Sequence, residues 1–294
     1  MSDSSKIQWS GKTGGNKWMQ KSLIILFKWI NIRLLYLIMA LVIPFYMIFN
    51  RKGYMSIYRY FRHRYSYSPF KSFVNVYLNH FTFGQVILDR FAFYSGKRFN
   101  INIIGNEKYE ELINGENGFL MLSSHIGNYE LAGYHLKAKN KSIYALIYGG
   151  ETETVMKNRR KMFEGHNINM IPVTSDMSHL FEINNALRDG NIVSMPGDRI
   201  FGSTKYLELM FLGETAKFPL GPFAIAAQRD VPILSVFVMK ESTNYYTIYV
   251  KRIDSTATNR KERIDFMAKQ FVSNLEEVIS KYPKQWFNYY NFWE

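Results

Sequence analysis

The sequence predicts an α/β protein, a mostly parallel central sheet flanked by helices, preceded by an N-terminal hydrophobic, membrane-binding helical segment. Three observations predict it. Past residue 70, strand-like apolar runs alternate with helical patterns at the spacing of βαβ units. Residues 22–49 are almost continuously apolar. Charge is lopsided: the 294-residue chain carries a net +13, and residues 1–70 hold eleven Lys and Arg against a single acid, Asp3. Any anionic partner served by that basicity meets the N-terminal quarter first.

Taken in order, the apolar stretch SLIILFKWINIRLLYLIMALVIPFYMIF is broken by Lys28, Arg33 and Pro44. Its uncharged part, Leu34–Phe49, makes about 24 Å of helix, short of a hydrocarbon core of about 30 Å. A tilted span with snorkelling Lys28 and Arg33 and a helix lying in the interface both fit. A cleavable signal peptide does not, because no small-residue cleavage site follows the apolar run. Basic residues flank it (Lys6, Lys12, Lys17, Lys21, then Arg51 and Lys52), as anionic head groups favour. Residues 54–73 interleave aromatics with Arg59, Arg62, Arg64 and Lys71. That texture suits single-stranded nucleic acid, but beside a membrane-grade segment it suits a lipid surface or an acidic carrier protein better. No nucleic-acid partner is expected.

Apolar residues at helical spacing predict a buried helix over Phe70–Tyr94. Strands follow at Asn100–Ile104, Gly118–Ser123, Ser142–Tyr148, Asn169–Val173, Asn191–Met195, Tyr206–Leu212, Pro232–Met239 and Tyr245–Ile253. Helical patterns fall at Tyr129–Ala138, Thr154–Gly165, Met177–Arg188 and Pro219–Arg229, with a last helix from Arg260 to about Lys281. No repeat or linker divides residues 70–294. The expected organisation is therefore a membrane-associating segment, 1–69, and one α/β domain, 70–294.

Several chemistries are excluded. With no cysteine there is no thiol nucleophile, disulfide or Cys-ligated metal. Gly11-Lys12-Thr13 imitates the end of a P-loop, but Lys6 stands where the first glycine belongs. Neither a Gly-x-Ser-x-Gly elbow nor a dinucleotide fingerprint occurs. The six histidines show no metal-ligand spacing, so neither metal nor cofactor is expected.

What remains is SSHIGNYE, residues 123–130, between the strand GFLML and the helix YELAGYHLKA. His125 falls at the C-terminal end of a strand, where α/β sheets place ligands. Glu130 opens the next helix, Gly127 frees the turn, and Asn128 is placed to cap. On one continuous helix, side chains five apart would diverge; across a strand–turn–helix junction they can converge. A neutral imidazole takes a proton from an attacking hydroxyl or amine, and a carboxylate on its other nitrogen fixes the tautomer. With no nucleophilic Ser or Cys in the motif, such a pair suits direct transfer to an acceptor. From spacing alone, a His that caps a strand and a Glu that favours a helix N-terminus is the simpler account.

The segment resembles the first block of the lysophospholipid acyltransferase superfamily, His followed after four residues by an acid. The chain is most similar to its bacterial lipid A late acyltransferase branch (lauroyl and myristoyl transferases). SSHIGNYE resembles that branch's His-x-Gly-Asn-Trp-Glu, with Tyr129 where Trp is common. ALRDG before NIVSMPGDR resembles its helix–strand–Asp block, and FLG with Ala216 its Phe-Phe-Gly-x-x-Ala stretch. GPFAIAAQRDVPIL and NLEEVISKYPKQWF resemble later blocks, so the similarity runs in order over roughly residues 75–290.

The resemblance implies a fatty acyl transfer from a thioester donor, acyl carrier protein or acyl-CoA, to a hydroxyl or amine of a lipid-like acceptor. It implies attachment to the inner membrane with the site on the cytoplasmic side. His125 would be the general base and Glu130 its orienting partner. Asn128, Asp198, Arg199 and Arg159 would bind substrate. Asp198 stands where the branch has an acid, but Arg199 replaces its usual Gln; Arg199 either holds an anionic group of the acceptor or pairs with Asp198. A non-fatty acyl unit (aminoacyl or aryl-polyene) on the same scaffold, and a non-catalytic lipid-binding protein, are the alternative readings.

Overall fold

The computed structural model describes residues 27, 30–136, 140–148, 156–157, 160, 163, 166–174, 176–200 and 205–293. Three helices open the described chain: α1 (Ile32–Phe49), α2 (Arg51–Arg64) and α3 (Pro69–Tyr94). Asn31 caps α1 with its side chain on the Arg33 amide, and Asn50, between α1 and α2, accepts from Gly53. Ser68 caps α3, whose first residue is Pro69, a proline where no amide partner is needed. The basic-aromatic stretch read only as a surface is thus largely helix α2.

The rest alternates strand and helix as expected, with one helix, Asn106–Asn114, and one strand, Glu214–Pro219, that the sequence reading did not place. Strand β1 (Asn100–Ile104) leads to α4 (Asn106–Asn114), β2 (Phe119–Ser123), α5 (Glu130–His135), β3 (Ile143–Tyr148) and β4 (Ile168–Val173). Then come α6 (His179–Arg188), β5 (Ile192–Pro196), the hairpin β6 (Tyr206–Phe211) and β7 (Glu214–Pro219), and α7 (Gly221–Arg229). Strands β8 (Ile233–Lys240) and β9 (Tyr245–Ile253), α8 (Arg260–Lys281) and a short turn of 3₁₀ helix, Pro283–Gln285, complete it. The helical pattern at Thr154–Gly165 lies largely outside the described residues.

Seven strands form one sheet in the order β1-β9-β8-β2-β5-β3-β4, parallel throughout except for the β8–β9 pair. Central strands of such a sheet are covered on both faces and read as continuous apolar runs. All eight residues of β8 are buried, as are the first four of β2.

Strand Tyr206–Leu212, expected in the sheet, instead pairs only with β7, antiparallel, as a separate hairpin. Sequence reading missed β7 because its turn, Leu212-Gly213, has both residues at positive φ (50° and 82°), the I′-type geometry normally announced by Asn-Gly. A Leu there conceals the signal, and Glu276 accepts a hydrogen bond from its amide.

Helices α1 and α2 are built into the body rather than appended to it. Ile43 and Met47 of α1 and Ile57, Tyr60 and Phe61 of α2 share one core with residues of β2, β8 and α8. The outer face of α1 is bare: Leu37, Leu41, Phe45, Ile48 and Phe49 are 62–85% exposed. By length and composition this one helix among the described residues could cross a membrane, with mean hydropathy 2.2 and 28% of it buried.

Candidate active site

The site forms where two neighbouring strands end. β2 and β5 run parallel in a register that sets Ser123 beside Pro196, and the Gly197 amide continues the ladder to the Ser123 carbonyl at 2.8 Å. His125 and Asp198 each lie two residues beyond that pair. Adjacent strands are about 4.8 Å apart, so the two side chains meet. Asp198 Oδ1 is 2.9 Å from His125 Nδ1, and its Oδ2 accepts from the His125 amide at 2.8 Å. Gly197 allows α8 to close over this spot, since a Cβ there would stand 2.6 Å from the Phe271 ring.

The loop carrying His125 is clasped from the far end of the chain. The Gly127 amide donates to the Gln285 carbonyl at 2.9 Å, and the Phe287 amide to the His125 carbonyl at 3.0 Å. Trp286, 1% exposed, sits between them among Tyr60, Phe211 and Phe292. The Gln285 side chain bonds both the amide and the carbonyl of Lys240, ending β8. Gly127 has φ +54°, and a Cβ on it would lie 2.0 Å from the Val238 carbonyl oxygen. Only glycine fits that approach.

Glu130 accepts hydrogen bonds from α3. Arg90 donates to Glu130 at 3.1 Å and to the Asn128 side-chain oxygen at 3.2 Å, and the Tyr94 hydroxyl donates to Glu130 at 3.0 Å. The Arg90 guanidinium also lies over the Tyr129 ring. Asn128, expected to cap a helix or touch substrate, is fully buried; its amide nitrogen is 3.5 Å from the Tyr246 hydroxyl. Tyr129 occupies the cap position, with no side-chain cap hydrogen bond. Arg199 donates to the Phe287 carbonyl at 3.0 Å and lies over the Tyr290 ring. Arg159 lies outside the described residues. Sequence reading missed Arg90, Tyr94 and the clasping tail. The one available signal was Asp89-Arg90, two charges inside an apolar helical pattern.

The electrostatics favour a neutral imidazole. Burial pushes the His125 pKa down; Asp198 opposes this, but the positive charges of Arg199 and Arg90 add to the depression, and the result is below the ordinary histidine value. Burial alone would raise Asp198, yet His125, with Arg199, holds it below the usual carboxylate range. Among the described residues, no group of three His, Asp or Glu is placed to hold a metal ion.

The sequence comparison makes the protein a lipid acyltransferase. The chain belongs to the bacterial lipid A biosynthesis acyltransferase family, whose model matches residues 84–294. It is also similar over 90% of its length to the crystal structure of the 1-acyl-sn-glycerophosphate (LPA) acyltransferase PlsC from Thermotoga maritima. That match covers 97% of the PlsC chain at 14% identity, with a TM-score of 0.41. No curated protein matches the chain by sequence.

Proposed function

We propose that this acyltransferase moves a fatty acyl group from a thioester, on acyl carrier protein or coenzyme A, to a hydroxyl or amine of a lipid-like acceptor. The observation that carries the reading is the His125–Asp198 pair, 2.9 Å apart at the C-terminal ends of β2 and β5. With Nδ1 bonded to Asp198, Nε2 is the nitrogen that takes the acceptor's proton as its oxygen or nitrogen attacks the thioester carbonyl. The tetrahedral intermediate collapses with loss of thiolate, and the imidazolium returns the proton to that sulfur. Ester or amide and free thiol are the products. In this reading Asp198, assigned to substrate from sequence, steadies the imidazolium, and Glu130 acts with Arg90 and Tyr94 to hold the loop. Arg199, beside His125, faces an anionic group of the acceptor.

Residues 1–69 serve as the membrane-associating segment and 70–294 as the transferase domain. The bare apolar face of α1 and the exposed Phe70 at the start of α3 (77% exposed) support seating on a lipid surface. Thioester donors of fatty acid synthesis are cytosolic, which argues for the cytoplasmic side of the inner membrane. The test is His125→Ala in purified full-length protein. Removing a general base costs about 10²–10⁴ in rate, so transfer from acyl carrier protein thioesters to a bacterial lipid extract should nearly vanish while the protein stays folded. A folded variant working at the wild-type rate would refute the assignment.

A further inference from the structure

Behind the site lies a second polar cluster that the transfer chemistry does not use. Asp89 of α3 is fully buried, and its carboxylate accepts from three elements at once: the Tyr36 hydroxyl of α1, Lys240 Nζ of β8 at 2.5 Å, and the Tyr246 hydroxyl of β9. The Tyr36 hydroxyl also accepts from Lys240 Nζ at 3.1 Å. From Tyr246 the network reaches the Asn128 amide, 3.5 Å away, and Asn128 is bonded to Arg90, which holds Glu130. Asp89 and Arg90 are consecutive in α3, so one helix turn delivers one charge to each side of Asn128.

Such a cluster needs a reason. Burial acts against both charges: it raises Asp89 and lowers Lys240, and each partner only partly offsets the effect. An apolar pair of equal volume would join α3 to the sheet without that desolvation cost. It could not hold two tyrosine hydroxyls in fixed directions. Tyr246 is locked on one side by Phe99, edge-on at 5.5 Å, and its hydroxyl has one carboxylate to donate to and one amide to accept from.

We propose that Asp89, with Tyr36, Lys240 and Tyr246, forms a positioning network that ties the docking of helix α1 to the geometry of the loop bearing His125, through Tyr246 and Asn128. Loosening it leaves substrate binding intact and spoils the alignment of the base. The proposal rests on the reading of His125 above.

The experiment is a double-mutant cycle on the full chain in detergent micelles, with acyl carrier protein thioesters as donor and a bacterial lipid extract as acceptor. Tyr36→Phe and Tyr246→Phe each delete one hydroxyl and keep the ring. Small misplacements of reacting groups cost up to about 10²-fold; each variant, though somewhat less stable, should stay folded and lose about ten-fold in kcat with KM little changed. Because both act through Asp89, the double variant should be no slower than the worse single one. Asp89→Asn, with its counter-charge lost, should be at least as slow. Wild-type kcat in folded Tyr246→Phe, or losses that multiply in the double variant, would overturn the network. His125→Ala, run alongside, separates the two ideas. If it is silent while the tyrosine variants are unaffected, only the network fails; if it is fully active, the site itself has been misread.

Discussion

At the residue scale, the charge beside His125 sets the pH range in which the proposed base is neutral. Arg199 adds to the depression of the His125 pKa, so removing its charge raises that pKa. A base is lost as pH falls through its pKa. In wild type the acid limb of kcat/KM should therefore lie below the ordinary histidine value, and in Arg199→Met it should move to higher pH. A pH–rate profile of the two proteins checks this; a limb that stays put or moves lower contradicts the electrostatic account. The same residue shows what spacing conceals. His125 and Asp198 are 73 positions apart in sequence and 2.9 Å apart in space. Glu130, five positions away, was the natural partner to choose, yet α3 brings Arg90 and Tyr94 to it.

At the scale of elements, α1 has two faces with opposite duties. Ile43 and Met47 point into the core, while Leu41 and Phe45 are 68% and 64% exposed. Burying a side chain of that size is worth about 1.5–3 kcal/mol. Leu41→Asp with Phe45→Asp should thus weaken binding to lipid vesicles by well over ten-fold and leave the melting temperature nearly unchanged. Flotation of the variant with vesicles at the wild-type level would show that another surface makes the attachment. The apolar run itself was legible, as sixteen uncharged residues between basic flanks. Which face is bare was not, since every position along the run is apolar. Only packing against α3, with the Tyr77 hydroxyl bonded to the Ala40 carbonyl at 3.0 Å, distinguishes them.

At the scale of the whole molecule, the N-terminal excess of positive charge is partly spent on internal contacts. Arg62 bonds the Tyr67 carbonyl, and Arg64 pairs with Glu214 and lies 4.3 Å from the Trp293 ring centre. Reversing those two would damage the contacts of α2 with the loop before α3, the β6–β7 hairpin and the C-terminal tail. Arg59 and Lys71 are exposed and are the better probes of an acidic carrier. Charge complementarity mainly raises encounter rate and fades with salt. Arg59→Glu with Lys71→Glu should lower kcat/KM for the carrier-bound donor several-fold at low ionic strength, less at high, and spare small thioesters. If both donors suffer equally in vesicles and neither in detergent, the pair serves lipid instead.

The sequence by itself determined most of the elements and their order, α4 and β7 excepted. Apolar periodicity and turn residues are local, and the βαβ rhythm from Asn100 onward marks strands and helices to within a residue or two of their observed ends. The position of His125 at the end of a buried strand before a glycine turn was legible as a local pattern, and the resemblance of SSHIGNYE to a family block drew attention to it. Tertiary structure alone decided which groups share the site. The parallel register of β2 and β5 puts Asp198 on the imidazole, α3 carries Arg90 to Glu130 and Asn128, and residues 285–287 lock the loop from the other end of the chain. A hydrogen bond forms between atoms brought within about 3 Å, and nothing in a linear chain records which distant strand ends will be neighbours.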